Sequence, residues 1–345
     1  MVKGIISRSP GLKLFGIRTG FAFMFVSGLA VSMALQGQDP VEFKPGGKVE
    51  ARIFTGFITT FTEGESHSKF DLGRAYLGYS YNFSKTLSGR IVYDVADPAV
   101  GKMKFTGLLK FGYLRYQTEK WTITGGMIPL PEYDYVDKKW GYRYVTKPSH
   151  DEYGFGVSAD LGLSVSYKIA PWLIADVAFT NGEGFKLTES DSTLKAAVGI
   201  TVIPVRNVSL HGYYDRMGKE GTSQQSADVI ATYENKGYVF SAAYHYLANN
   251  GLVVGRDLRG ISFNGTVPVS GKIKIFGRYD FVSSVRVGNE DEVWNLNRDG
   301  QLFVAGIEFA LAPGVNLAPN YQGWIPASDD MPFISRFSIS LDLKI

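Results

Sequence analysis

Cysteine is absent from all 345 residues. Disulfides, thiolate metal sites and a lipid-modified cysteine near the N-terminus are therefore excluded. Histidine is scarce, with only His67, His150, His211 and His245. No pair of them has HExxH spacing, and no Gly-x-Ser-x-Gly elbow occurs. His211 and His245 fall on the wet parity of two different segments, where solvated side chains are expected rather than ligands. Enzyme activity, a cofactor and a metal site are accordingly not expected. After residue 35 no amphipathic helical stripe of useful length is found. The mean hydropathy of −0.04 does not exclude a membrane protein, because spanning strands alternate and average to neutral.

What is present begins with Lys3, Arg8, Lys13 and Arg18, with no acidic residue among them, followed by the apolar run Gly20 to Leu35. That run is shorter than the roughly 18–20 residues of a spanning helix. Ser32-Met33-Ala34 offers the small residues that a signal peptidase reads, so residues 1–34 are expected to be a cleaved signal peptide. Residues 35–47 then form a short periplasmic tail, and 48–345 the folded body. The whole chain carries 36 basic and 33 acidic residues, a net +3. Without the four leader cations the balance becomes −1, so no basic surface for nucleic acid survives processing.

Alternation dominates the body. From Tyr153 to Ile169, Phe155, Val157, Ala159, Leu161, Leu163, Val165, Tyr167 and Ile169 share one parity. Gly156, Ser158, Asp160, Gly162, Ser164, Ser166 and Lys168 share the other. Successive strand side chains point to opposite faces, so this reads as one long two-faced strand. A strand needs only about 9–11 residues to cross hydrocarbon. Similar segments, sixteen in all, run to Ile345. Every second connection is tight, as at Ser84-Lys85, Glu119-Lys120 and Asn235-Lys236. The others are longer and polar, as at 63–67, 98–104, 129–152, 182–193, 217–225 and 283–299. Short periplasmic turns alternating with longer external loops predict an all-β transmembrane antiparallel barrel of about sixteen strands. The segment 105–118 has apolar residues on both parities. Its expected facing is Leu114 and Tyr116 to lipid and Arg115 to the lumen, with Lys110 unplaced and a bulge open as an alternative.

Charge at mid-membrane on the lipid side costs about 2–4 kcal/mol, so the charged parity should face water inside. The expected pore-lining residues are Arg52, Arg74, Arg90, Asp94, Arg115, Asp160, Lys168, Arg278, Asp280 and Arg336. Basic and acidic residues nearly balance on this face, which predicts at most a mild anion preference unless the cations cluster in space. Sixteen strands leave an aqueous channel unless something folds into it. The candidate constriction is the loop 129–152, through Tyr133, Asp134, Tyr135, Lys138, Lys139, Trp140, Tyr142, Arg143 and Lys147. Loops longer than about 12–15 residues are usually functional or disordered, and this aromatic density argues for order. A loop packed over the barrel mouth, or an oligomer interface, is the other reading. The expected function is passive diffusion of small hydrophilic solutes or ions through an outer-membrane channel embedded in lipid. The alternative is a non-conducting barrel with a structural or complex-anchoring role.

Four short stretches add a family likeness: Thr180-Asn181-Gly182-Glu183-Gly184, Phe276-Gly277-Arg278-Tyr279-Asp280, Gly306-Ile307 and Asn320-Tyr321. Through them the chain resembles the phosphate-selective porin O/P-like family of Gram-negative outer membranes. The resemblance implies a sixteen-strand barrel, commonly a homotrimer, with an inward-folded third loop. Two departures stand beside it. Phosphate-specific members concentrate arginines at the constriction, whereas the long loop here offers Arg143 plus lysines, and lysine lacks the bidentate fork. The last residue is Ile345, where such barrels usually end on an aromatic.

Overall fold

The computed structural model describes residues 43–96, 105–188, 192–219, 221–286 and 294–345. The expected signal peptide and most of the expected tail lie outside them. Alternation is realised as sixteen strands. They are β1 (Gly46–Thr62), β2 (Glu65–Asn82), β3 (Leu87–Ala96), β4 (Thr106–Gln117), β5 (Trp121–Pro129), β6 (Ala159–Ala170), β7 (Leu173–Thr180) and β8 (Lys195–Val205). They continue with β9 (Val208–Lys219), β10 (Thr222–Asn235), β11 (Tyr238–Ala248), β12 (Arg256–Ser270), β13 (Ile273–Arg286), β14 (Gly300–Ala312), β15 (Val315–Pro326) and β16 (Ile334–Lys344). Each pairs antiparallel with the next, and β1 pairs with β16 from Arg52↔Lys344 to Thr62↔Ile334. Closure leaves no unpaired sheet edge, the condition for strands to cross a membrane.

The outward parity is apolar and exposed, with Leu77, Leu114, Leu161, Leu163, Phe179, Ile200, Val229, Phe263, Phe303 and Ile339 upon it. Along β6 the contrast is direct, since Leu161 and Leu163 are 48% and 47% exposed and Asp160 is 2% exposed. The β1 start, the β16 end and the β2–β3, β4–β5 and β6–β7 turns share one rim, here called the turn end. The longer connections share the other, the loop end.

Four expectations need correction. The tail stops sooner, because β1 already begins at Gly46. The long strand 153–169 begins only at Ala159, and the preceding residues belong to the inward excursion described below. The connections at 63–67 and 217–225 are not long loops. β1 and β2 close through Glu63-Gly64, both at positive φ, and β9 and β10 run to Lys219 and from Thr222. Helix does occur after residue 35, as α1 (Pro131–Trp140) and α2 (Ser149–Glu152). The signals for α1 were in the sequence. Pro131 opens it, Glu132 and Asp134 fill its first turn, and Lys138 and Lys139 fill its last. Gly141 ends it at φ +75°, its N–H bonded to the Asp137 carbonyl. Each choice fits the helix dipole or the left-handed stop.

The ambiguous β4 contains a bulge. Val92 pairs with Phe111 and Tyr93 with Leu109, so Lys110 has no partner across the ladder. The extra residue turns Lys110 and Phe111 both inward, where they are buried, while Leu109 and Leu114 stay exposed outside.

Candidate functional site

Between β5 and β6 the chain leaves the wall for residues 130–158. Its side chains touch strands all the way round the barrel. Tyr144 meets Phe54 on β1, Arg143 meets Tyr76 on β2, and Tyr133 meets Lys110 on β4. Tyr135 bonds Ser209 on β9, and Lys139 pairs with Glu234 on β10. Tyr153 bonds Asp280 on β13, and Tyr144 bonds Glu308 on β14. A segment that touches opposite walls of a closed barrel lies inside it.

Two kinds of contact hold it there. The first is apolar. Trp140, Tyr142 and Tyr144 form a cluster with Phe54, Phe276, Leu302, Val304 and Ala318 of the inner wall. Tyr142 stacks on Phe276 with centroids 4.1 Å apart. Glycines on the wall make room for the rings. A Cβ at Gly306 would stand 2.4 Å from the Phe276 ring, and one at Gly260 would stand 2.7 Å from the Phe155 ring. Phe155 and Tyr153 pack with Leu247, Leu258 and Val282.

The second kind is polar. Arg143 donates from Nη1 to Asp137 at 3.2 Å, from Nη2 to Asp151 at 2.5 Å and from Nε to the Tyr76 hydroxyl at 3.4 Å. Burial pushes the Asp151 carboxyl up, but Arg143 and Lys147 outweigh it and hold the group at about 2. Lys110, 1% exposed, lies 3.8 Å from Asp94, among the rings of Tyr76, Phe111 and Tyr133. Glu132 bonds His211 at 2.8 Å. Burial and the nearby Asp228 push the Glu132 carboxyl up, more than His211 lowers it.

Ser149, His245 and Asp228 stand in the order of a nucleophile, a base and its orienter. Ser149 Oγ is 3.0 Å from His245 Nε2, and His245 Nδ1 is 2.5 Å from Asp228 Oδ1. Yet Ser149 is 5% and His245 0% exposed, and His150 closes over the far side of Asp228 at 3.5 Å. A nucleophile needs an open position within about 3 Å for a reacting atom, and this one is sealed. What the arrangement can do is tie α2 to β10 and β11. Burial lowers the His150 pKa, but Asp228, Glu132 and Asp151 more than reverse that, and the net shift is upward. A charged His150 strengthens the tie.

Of the expected lumen residues, Arg52, Arg74, Arg90, Asp94, Arg115, Asp160, Arg278, Asp280 and Arg336 are buried within the barrel or line its cavities, with differing duties. Arg52 pairs with Asp342, Arg74 with Asp94, and Arg90 with Glu50. Arg115 bonds Thr124. Asp160 accepts the N–H groups of Leu161 and Gly182, so it pins the start of the β7–β8 connection and is not a free charge. Arg278 and Asp280 pair at 2.9 Å and are sealed under the excursion, with Arg278 Nη1 also bonded to the Lys147 carbonyl. Lys168 is exposed near the turn end. Arg336 takes no ion pair among the described residues. Of the loop set, Lys138 is exposed and reaches Asp134 at 3.7 Å, and Trp140 Nε1 donates to the Thr146 carbonyl.

Six of the basic residues share one arc of the wall, together with the acidic partners Glu50, Asp94 and Asp342. Arg336, Arg52, Arg74, Arg90, Lys110 and Arg115 all lie on the arc β16–β1–β2–β3–β4. Two cavities run along this arc. One of about 480 Å³ opens toward the turn end, beside Lys48, Arg52, Arg90 and Lys344. Another of about 240 Å³ lies toward the loop end, beside Arg74, Lys147 and Arg336. Arg143 lines both. A third, of about 370 Å³, lies beside α1, with Asp134, Tyr135, Lys138 and Lys139 on its wall. Sequence reasoning missed Lys110 and the tie through Ser149 and His150. Only the odd placement of Lys110 in an otherwise apolar segment signalled it.

Neither a protein-family model nor a curated protein sequence matches the chain. Solved structures do. OprB of Pseudomonas putida superposes with a TM-score of 0.67 at 10% identity, over 87% of this chain and 94% of that one. The outer membrane channel DcaP of Acinetobacter baumannii gives 0.62 at 11%, over 87% and 98%. OmpF of Salmonella typhi, in complex with daunomycin, gives 0.63 at 11%, over 86% and 97%. At such identities the likeness is one of fold. The chain, a closed sixteen-strand barrel, shares its fold with these outer-membrane proteins.

Proposed function

We propose that this chain is an outer-membrane porin, a water-filled channel for passive diffusion of small hydrophilic solutes with a preference for anions, and not an enzyme. The observation that carries the reading is Arg143. It projects from an inward-folded segment and forms the common wall of the loop-end and turn-end cavities, on an arc already lined with arginines. Arg143 is the residue that lines both cavities, and Arg74 lines the loop-end one. Rings of fixed cations select anions at such a point. The exposed apolar belt supports a lipid surround, and the residue 1–34 leader and a homotrimer complete the proposed export and assembly. Because most of the guanidinium groups lining these cavities, Arg143 and Arg74 included, are paired with carboxylates, the anion preference is mild and phosphate is a less suitable cargo.

A second reading has one observation in its favour. Trp140, Tyr142 and Tyr144 pack against the inner wall, as they would in a closed barrel with an anchoring role. Planar-bilayer recording separates the two. The channel reading expects stepwise conductance and a reversal potential displaced toward that of chloride in a KCl gradient. Silence from folded, heat-modifiable protein overturns it.

A further inference from the structure

Arg336 differs from the other arginines of the basic arc. Arg52, Arg74 and Arg90 each have a carboxylate partner, as does Arg143, and Arg115, which has none among the described residues, donates its Nε to Thr124. Arg336 has no ion pair among the described residues, and its buried Nε has no hydrogen-bond partner. That Nε is sealed from solvent, so a ligand in the cavities beside it meets the remainder of the guanidinium, whose charge no carboxylate among the described residues offsets. Arg336 lines the loop-end cavity of about 240 Å³ and also an adjoining one of about 260 Å³. Glu152 lines the same two cavities. Its carboxylate likewise has no ion pair among the described residues, and only its carbonyl is used, by Arg298 at 2.9 Å. The two opposite charges therefore face shared space without meeting each other. The cavity of about 260 Å³ is amphipathic, and Arg298, held on the Glu152 carbonyl, lines it beside Arg336. Tyr153 and Trp324 stack with centroids 6.3 Å apart on its wall, beside Leu302 and Ile334.

We infer that this vestibule binds a zwitterionic α-amino acid with an apolar side chain, a solute class that rests on the channel reading. The carboxylate is taken by the Arg336 guanidinium, whose planar fork matches it. The ammonium group is taken by Glu152, and the side chain lies against Trp324 and Tyr153. Each end fills a position that the protein itself leaves open. A simple anion satisfies Arg336 alone, and a simple amine satisfies Glu152 alone.

The test is calorimetric titration of the purified, detergent-solubilised barrel with L-leucine, isovalerate and isopentylamine. L-Leucine is expected to bind about tenfold or more tightly than either single-charge analogue, the scale of one charge-assisted contact. Arg336→Gln should weaken L-leucine about tenfold and leave isopentylamine unchanged. Glu152→Gln should weaken L-leucine similarly and leave isovalerate unchanged. Arg336→Lys, with heat-modifiability as the folding control, should retain part of the affinity. Equal binding of the three solutes, no L-leucine binding, or an unaltered Arg336→Gln overturns the site. Bilayer recording keeps the two readings apart. A barrel that conducts KCl but ignores L-leucine refutes only the vestibule site, and one that binds L-leucine without conducting refutes only the channel.

Discussion

Replacing Arg143 by Met keeps much of the side-chain volume and removes the charge. It leaves Asp137 and Asp151 without the cation they share. The size of the loss can be worked from Asp151, whose carboxyl lies at about 2 against an ordinary 3.8. At ~1.4 kcal/mol per unit, and with a discount for partial solvent contact, the ion pairing contributes ~2 kcal/mol to holding the excursion in place. The sign follows from linkage. A carboxyl held low stabilises the docked state above the unfolded pKa, near 4, and that stabilisation fades as pH falls through about 2. At neutral pH the native protein therefore has the full contribution, and Arg143→Met keeps only the smaller part that Lys147 and Lys110 supply.

Hydrogen exchange reads this directly. About 2 kcal/mol less docking stability raises local opening roughly 30-fold. Peptides covering 141–153 should exchange faster by about that factor at pH 7, while peptides from β10 to β13 stay protected and serve as the internal control. Arg143→Lys should fall between the two, because it keeps the charge and loses the fork. Exchange in 141–153 that is the same in the native protein and Arg143→Met refutes the docking argument.

Other perturbations probe other links. Arg143→Ala combined with Lys147→Ala should shift the bilayer reversal potential toward cations; an unchanged potential removes the segment from the conducting path. Gly306→Leu pushes against Phe276 and Asn320, costs about 1–3 kcal/mol of packing, and should widen single-channel conductance by displacing Tyr142, whereas native-like conductance would show that this stack does not limit flow. Leu163→Arg should impair assembly on a heat-modifiability gel, at a cost of ~2–4 kcal/mol for a lipid-facing cation, while Ser164→Arg should assemble normally and alter conductance; identical behaviour contradicts the facing of β6. A fluorophosphonate probe should leave Ser149 unlabelled in folded protein, and labelling that Ser149→Ala abolishes would mean that the triad geometry is open to solvent.

The wall was legible because its physics is local. Leu341, Leu343 and Ile339 alternate with Asp342, Ser340 and Ser338 whatever surrounds them, and closure of β1 on β16 follows from having no edge to leave in lipid. The excursion was legible in place and in composition but not in contact. Pro131, the two acidic residues after it, the lysine pair and Gly141 encode a helix in local terms, yet ten residues within a strand-rich chain are easily overlooked. The partners of Lys110, Glu132 and Ser149 come from strands up to about a hundred positions away. No periodicity encodes those meetings.

The misreading of residues 153–158 has a more general cause. Phe155 and Val157 continue the parity of Leu161 and Leu163, so a period of two extends the strand through them. Parity says that one side is apolar and does not say which apolar phase that side meets. A plain barrel has one such phase, the lipid. A barrel with an aromatic segment folded inside has two, and Phe54, Phe276, Leu302 and Val304 sit on the inner parity because Trp140, Tyr142 and Tyr144 are there to cover them. Apolar residues on the wet face of β1, β13 and β14 are therefore the sequence mark of the inward fold itself. They appear beside Arg52, Arg278 and Glu308 in the same alternating sets, and a solvated lumen wall would have no use for them.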